Sequence, residues 1–547
     1  MEPPGLQPST GAMGVKGARL DLRTLAVLGL LLAGMLLRVA VTFPAHKYVG
    51  DADSLLTGMQ AFHVLRGETP VFFSGVRIGS IESHAAAAVF LVLGASRTSL
   101  ALVPLLFGFA LLLILYGLYR ELLPPDAALW ALLFLALPSP AFLSWTYMPD
   151  GYAAILFLCG AILWLAALLE RRGPSPTRAA LFGIAAGLGW WQSFETLGVL
   201  GAALAWLLWS RPELWRRPRL WAIGLAGFAL GAFPWIVYTI RLPMQTFRDN
   251  YATRPAHGIG TIAANARYFL NYSLPEVVTP VHEAWTELLR DPGAVLHDRL
   301  LVPVRLLFAA AALLFFAVPA LRGRTDRWSR AAARTLGFST WLLFVLVIAA
   351  YAALNIFSAA GEARGVSVRY VLPVYLVVPG MLALLLSLVA ARSRALAVLL
   401  AGTIVLWNVT AYHWPGRPSR EGWHEQAGRD DRLVELLGRR GVTGVVGGYW
   451  MAYPVNFLSR ERILALPCGS DYYDYRGRRP PGRLYRWALV SAWPTELAKW
   501  AARAGVTGSL EIAAPERAIL VLAANPADPA AQERLLQRLV ATCTTRE

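Results

Sequence analysis

The chain has 547 residues, of which 56% are hydrophobic and only 16% charged, with a mean hydropathy of +0.48; a soluble globular protein of this size carries far more charge. The formal net charge of +17 would point to nucleic acid in a soluble protein, but here the arginines sit in short turns between apolar runs, where they orient a membrane protein. Those balances exclude a cytosolic enzyme and a nucleic-acid binder, and leave an α-helical polytopic membrane protein.

Residues 1–23 are polar and basic, show no cleavable signal peptide, and form a cytoplasmic N-terminal segment. The first span is 24–43, flanked by Lys16, Arg19 and Arg23, which hold the N-terminus inside. The next stretch, 50–67, opens on two carboxylates, Asp51 and Asp53. Leu55, Leu56, Met59, Phe62 and Leu65 then recur at helical spacing. This predicts a short amphipathic helix on the outer membrane surface, with an acidic pair where water meets lipid. A single Asp would serve as an N-cap; two carboxylates at that boundary are costly unless used or paired. The rest of the outer loop 44–98 is mixed. Its apolar patch 85–95 is too short to cross a bilayer and lies on, or dips into, the membrane.

Spans then follow at 99–119, 127–147, 151–169, 179–191, 195–209, 220–240, 301–321, 335–357, 370–391 and 395–412, giving about eleven in all. Pro138 and Pro140 should break the third near its outer end. The turns 170–178, 210–219 and 322–334 carry three, four and five arginines, and fall on the inner side throughout. The loops 241–300 and 358–369 are outside. Residues 24–413 thus form one transmembrane unit, and 414–547 an extracytoplasmic α/β domain. In that domain 431–440 and 530–541 read as helices, and 442–448, 488–492 and 519–523 as strands. The run 447–454 (GGYWMAYP) is either packing or an aromatic platform for a sugar. Cys159 lies in an apolar run. Cys468 and Cys543 lie in the tail and pair if it is extracytoplasmic.

The polar residues gather at one face. Asp51, Asp53, Glu82, His84, Asp150, Gln192, Glu195, Arg364 and Arg369 all fall near the outer ends of spans, and the inner side has no comparable acidic set. Arginine grips phosphate as a bidentate fork, and Arg369, followed by Tyr370, sits at the depth of a lipid phosphate; the competing reading is simple snorkelling. A carboxylate can take a proton from a hydroxyl as general base, and an arginine can neutralise a departing phosphate. The chemistry of this constellation is that of a phosphate-bearing lipid.

The first outer loop resembles that of the C-type (GT-C) integral-membrane glycosyltransferases, among them the protein O-mannosyltransferases and the lipid A aminoarabinose transferases. The likeness is carried by Asp53, Gly58, His63 and Gly67, by PVFFSG (70–75) and GSIES (79–83), by GLGWW (187–191) and GAFPWIVY (231–238), and by Arg369-Tyr370 before LPVYLVVP. The tail run YWMAYPVNFLSRERI is similar to the outer domain of the bacterial relatives. The resemblance implies an inverting glycosyltransferase that moves a sugar from a polyprenyl-phosphate donor to an acceptor hydroxyl of a lipid, glycan or protein, at the outer face of the inner (plasma) membrane. It places Asp53 on the catalytic aspartate and Glu82 on a motif glutamate, with Arg369 and Tyr370 near the lipid phosphate. Ser54 stands where relatives carry Glu, so either Asp51 or Asp53 supplies the base. Glu82, His84, Gln192, Glu195, Arg364, Arg369 and Tyr370 are the expected substrate-binding residues. No cofactor is expected: an Asp-x-Asp pair can hold a divalent metal, but relatives with lipid-monophosphate donors generally do without one. A polytopic lipid or solute transporter is the alternative, although no internal repeat of the kind transporters show is present.

Overall fold

The structure is a computed structural model, and it describes residues 21–48, 52–74, 78–146, 148–242, 247, 255–256, 258–278, 337–359, 367–412, 420–468 and 483–544. Asp51, Arg364 and the expected span 301–321 lie outside these residues.

Helix α1 (Leu22–Tyr48) enters the bundle. After it come α2 (Ala52–Leu65), the two-stranded ribbon β1 (Phe72–Ser74) and β2 (Ile78–Gly79), and α3 (Ile81–Leu93). The bundle continues through α4 (Arg97–Leu122), α5 (Pro125–Ala136), α6 (Pro140–Thr146), α7 (Tyr152–Arg171), α8 (Pro176–Gln192) and α9 (Thr196–Ser210). Next are α10 (Pro218–Gly231), α11 (Phe233–Arg241), α12 (Ile259–Tyr268) and the short α13 (Leu274–Val278). After α14 (Phe338–Phe357) a 3₁₀ segment, Ser367–Leu376, leads into α15 (Val378–Ala390) and α16 (Arg394–Tyr412).

Among the described residues, α1, α4, α7 and α14 are long and apolar enough to cross a membrane alone. Two bent pairs can each serve as one more span. The first is α10 with α11, which turn by 69° at their junction; the second is Arg369–Leu376 with α15, bent by 40°. The eleven-span count also needed the shorter helices α5, α8, α9 and α16, together with the expected span 301–321 that lies outside the described residues. Pro138 and Pro140 act as expected. Helix α5 stops at Ala136 and α6 restarts at Pro140, because proline lacks the N–H and crowds the preceding turn.

The bundle core is built by the inward faces of α4, α5, α7, α9, α14 and α15. Its tightest seam joins α8 to α10. A side chain on Gly183, Gly187, Gly227 or Gly231 would collide with backbone of the facing helix. Small residues at four-residue spacing let two helix backbones approach in a membrane, where packing rather than hydrophobicity drives association.

Residues 420–544 supply α17 (Arg420–Arg439), β3 (Gly444–Gly447), α18 (Tyr449–Leu458), β4 (Leu464–Pro467), β5 (Trp487–Ser491), α19 (Pro494–Ala504), β6 (Gly508–Ala514), β7 (Arg517–Leu522) and α20 (Pro529–Thr544). The five strands form one mixed sheet in the order β4-β3-β5-β7-β6. Strand β3 runs parallel to β4 and β5, and β7 antiparallel to β5 and β6. Val445, Val446, Leu489 and Ile519 are buried in it. The strands expected at 442–448, 488–492 and 519–523 correspond to β3, β5 and β7. Strands β4 and β6 and helices α18 and α19 were not anticipated. Cys468, just past β4, is disulfide-bonded to Cys543 of α20.

This unit packs on the first outer loop rather than standing off it. Leu55, Leu56, Met59 and Phe62 of α2, Phe90 of α3, and Tyr453 and Phe457 of α18 share one core. Helix α2 is therefore not the half-immersed surface helix that its periodicity suggested. It is buried on nearly every side, because both α3 and α18 pack against it.

Candidate active site

Asp53 lies in the first turn of α2, half-buried. The hydroxyl of Tyr449 donates a hydrogen bond to its Oδ1. Tyr449 is aimed there by a simple device: β3 ends at Gly447, Gly448 turns the chain, and Tyr449 is the first residue of α18. The Tyr449 ring is held edge-on by Tyr453 at 4.8 Å. Further along, Phe457 stacks on Phe62 with centroids 5.5 Å apart. A Cβ at position 58 would overlap Phe457, so Gly58 is what lets α18 approach α2. The aromatic run 447–454 thus contributes both packing and a hydroxyl on Asp53.

At the far end of α2, His63 is clamped between two carboxylates, with Nδ1 2.6 Å from Glu68 Oε1 and Nε2 2.7 Å from Glu461 Oε1. Arg66 also reaches Glu461 at 2.6 Å. Burial opposes protonation of His63, but the Glu461 and Glu68 carboxylates outweigh it and raise its pKa above the usual histidine value. A raised folded-state pKa adds stability that is complete below the unfolded value and vanishes as the pH climbs through the folded one. The seam between α2 and the C-terminal sheet should therefore loosen as the solution is made alkaline from pH 6, seen as faster deuterium uptake in α2 and α18. The His63→Gln protein should lack that dependence.

One turn after Asp53, the hydroxyl of Thr57 donates to the carbonyl of Pro149. The turn 148–151 that it touches opens α7 and collects the next group of expected residues. Both Glu82 oxygens accept from backbone N–H groups there, of Gly151 and of Ala154, each at 2.9 Å. Burial pushes the Glu82 carboxyl up to about 7, against the pull of those two donors. Gln192 bridges the same region: its Oε1 accepts from Ile81 N at 3.3 Å and its Nε2 donates to Gly151 O at 3.3 Å. His84 Nδ1 lies 2.8 Å from Ser80 O, and its ring lies edge-on to Trp191 at 6.2 Å. Glu82, Gln192 and His84 thus engage the backbone and rings that frame the turn.

Arg369 approaches the turn from the other side. Its guanidinium lies 5.8 Å from the ring of Tyr152 and 5.1 Å from that of Tyr370. Its Nη2 donates to the Tyr370 hydroxyl at 3.1 Å. Glu195, at the break between α8 and α9, is buried, and its backbone carbonyl accepts from Tyr351 at 2.7 Å. Glu195 and Arg369 attract one another, yet form no ion pair. Glu195 Oε2 and Arg369 Nε are both buried without a hydrogen-bond partner. Buried polar atoms without partners are rare and call for an explanation; a polar ligand between the two would supply one.

Helix α2, through Thr57, touches this turn, and Arg369 of the 3₁₀ segment lies by Tyr152, the first residue after it. The structure brings Glu82 and Gln192 onto Gly151 of it and Arg369, Glu195 and Tyr370 near Tyr152, the residue that follows it, with His84 edge-on to Trp191. Tyr152 and Tyr449 had no assigned role in the sequence reading, and only the aromatic character of 447–454 hinted at the second. Among the described residues no three His, Cys, Asp or Glu side chains converge as a metal site would require.

Residues 83–238 match the model of the dolichyl-phosphate-mannose-protein mannosyltransferase family. No curated protein sequence matches the chain. Among solved structures, the chain is similar to ArnT from Cupriavidus metallidurans bound to undecaprenyl phosphate, with a TM-score of 0.57 and 14% identity over 91% of this chain and 97% of that one. The apo state of the same protein matches with a TM-score of 0.56 and 15% identity, over 90% of this chain and 98% of that one. The fold is ArnT-like, and the chain resembles the GT-C glycosyltransferases.

Proposed function

We propose that this multi-pass membrane protein, GT-C-like in fold and in the segment 83–238, transfers a sugar from a polyprenyl-phosphate donor to an acceptor hydroxyl, with inversion. The observation that carries the reading is that the helix bearing Asp53 bonds through Thr57 to Pro149 while Arg369 lies by the ring of Tyr152, three residues further along the chain, beside two buried polar atoms that lack partners. The structurally similar ArnT holds undecaprenyl phosphate, which supports a lipid phosphate as the group that Arg369 receives.

In this reading Asp53 removes the proton from the acceptor hydroxyl. The oxygen attacks the anomeric carbon from one face. The bond from that carbon to the phosphate oxygen breaks at the other, and the phosphate leaves with the electron pair. Arg369 and Tyr370 stabilise the departing charge. Glu82 and Gln192 hold the turn, Glu195 faces the sugar, and Asp51, His84 and Arg364 complete the expected set. No cofactor enters. The arginine-rich turns support an N-terminus on the inner side, and the Cys468–Cys543 bond suits an extracytoplasmic C-terminal unit; the inner (plasma) membrane is the proposed location.

Purified protein in nanodiscs, given a panel of labelled undecaprenyl-phosphate sugars and a membrane extract as acceptor, should move label from one donor to a new product. Label that crosses the bilayer on an intact donor would establish a transporter instead, and label taken only from diphosphate donors would establish an oligosaccharide ligase.

Tyr449 is a positioning residue in this reading, because its hydroxyl fixes the rotamer of Asp53. Removing one hydrogen bond to a charged group typically costs about 1.5–3 kcal/mol, so Tyr449→Phe should lower kcat roughly 10–100-fold with little change in KM for the donor. Its rate profile should also shift along the pH axis, which loss of packing alone would not produce.

A further inference from the structure

We propose that the bundle carries a second lipid site, for an anionic membrane phospholipid, at the end opposite the candidate active site. A cavity of about 280 Å³ opens between α7, α8, α9 and α10. Its wall is apolar, with Phe182, Leu200, Leu204, Leu225 and Phe228 as its larger side chains. Along α9 it extends from Leu208 to Leu200, a depth of roughly 12 Å at 1.5 Å per residue. Helix α8 begins beside the cavity and ends at Gln192, so the two sites occupy opposite ends of that helix. The proposed site stands apart from the transfer reaction.

The mouth identifies the occupant. Leu214, Leu220 and Trp221 are among the lining residues at this end, and Arg211, Arg216, Arg217 and Arg219 lie within three residues of them in the chain. Arg211 is engaged by the Glu170 carbonyl and by Glu213. Arg216, Arg217 and Arg219 are exposed and make no ion pair among the described residues. Trp209 and Trp215, 68% and 66% exposed, stand beside them. Exposed tryptophans mixed with arginines mark the level of lipid headgroups. A hydrocarbon groove that ends beside a turn carrying three exposed arginines fits one acyl chain inside and one phosphate at the rim. Zwitterionic lipids offer the same chain without net negative charge, so the arginines should select for anionic headgroups.

The test uses the full-length protein, stripped of lipid in detergent and equilibrated with phosphatidylglycerol and phosphatidylcholine of identical chains, with retained lipid read by native mass spectrometry. One phosphatidylglycerol should be held per protein, favoured at least about tenfold, as expected when several arginines share one phosphate near a membrane surface. The triple variant Arg216→Gln, Arg217→Gln, Arg219→Gln should hold both lipids equally. Leu225→Trp should hold neither, because Leu225 is 64% exposed and a larger ring can grow into the groove without entering the core. Equal retention of the two lipids by the unaltered protein would reduce the site to ordinary solvation by the bilayer and overturn the proposal. A preference that survives the triple substitution, or retention indifferent to Leu225→Trp, would do the same. A dimer that Leu225→Trp splits would give the groove to a second copy of the chain.

Discussion

Asp53→Asn should abolish glycosyl transfer, by about 10²–10⁴-fold if Asp53 is the general base, while leaving the protein folded. Asparagine matches aspartate in shape and keeps Oδ1 as an acceptor for the Tyr449 hydroxyl. The shared core of α2 and α18 does not depend on the charge. The substitution therefore removes proton-accepting power and little else. Steady-state turnover, measured beside the thermal transition of the same preparation, separates the two effects. Full activity in a folded Asp53→Asn protein would remove Asp53 from the mechanism. Asp51→Asn, run in parallel, decides which carboxylate of the pair is the base, since the reading through Asp53 requires the Asp51 variant to retain most of its rate.

Arg369→Gln should cost transfer about 10²–10³-fold, the usual penalty for losing one group that meets charge developing in the transition state. The loss should fall mainly on kcat. Arg369→Lys should recover only a fraction. The guanidinium lies near the rings of Tyr152 and Tyr370 and donates to the Tyr370 hydroxyl, and a lysine ammonium has neither its plane nor its fork of donors. If Arg369→Gln raises KM for the donor and spares kcat, Arg369 anchors the ground-state phosphate only. If it changes neither, the guanidinium does no more than lie at the headgroup level.

Much of the bundle was legible because membrane burial imposes long apolar runs, and because Pro138 and Pro140 interrupt the helix where they stand. Helix boundaries near Pro138 and Pro140, the break between Gln192 and Thr196, and the strands at β3, β5 and β7 all follow from local chemistry. The acidic loop was legible for a similar reason: carboxylates beside a membrane stand out. What could not be read was the partner of each group. Glu82 looked available for substrate, but its oxygens accept from backbone N–H groups far along the chain. Helix α2 looked amphipathic and half-exposed, but Phe457 and Tyr453 close over it. Tyr449 looked like one more packing aromatic, and nothing near it in sequence points to Asp53. Strand β4 is a four-residue apolar run without alternation, and its pairing is set by β3.

The hydrogen bond between Tyr449 and Asp53 joins residues 396 positions apart. In a chain that is threaded into the bilayer as it leaves the ribosome, the acidic loop is in place long before the tyrosine has been translated. A polypeptide cut short after α16 would keep its spans and its lipid anchorage, yet its carboxylate would wait without the group that steadies it. Late stop codons should therefore yield inserted but idle molecules, and nascent chains still under synthesis should not consume donor.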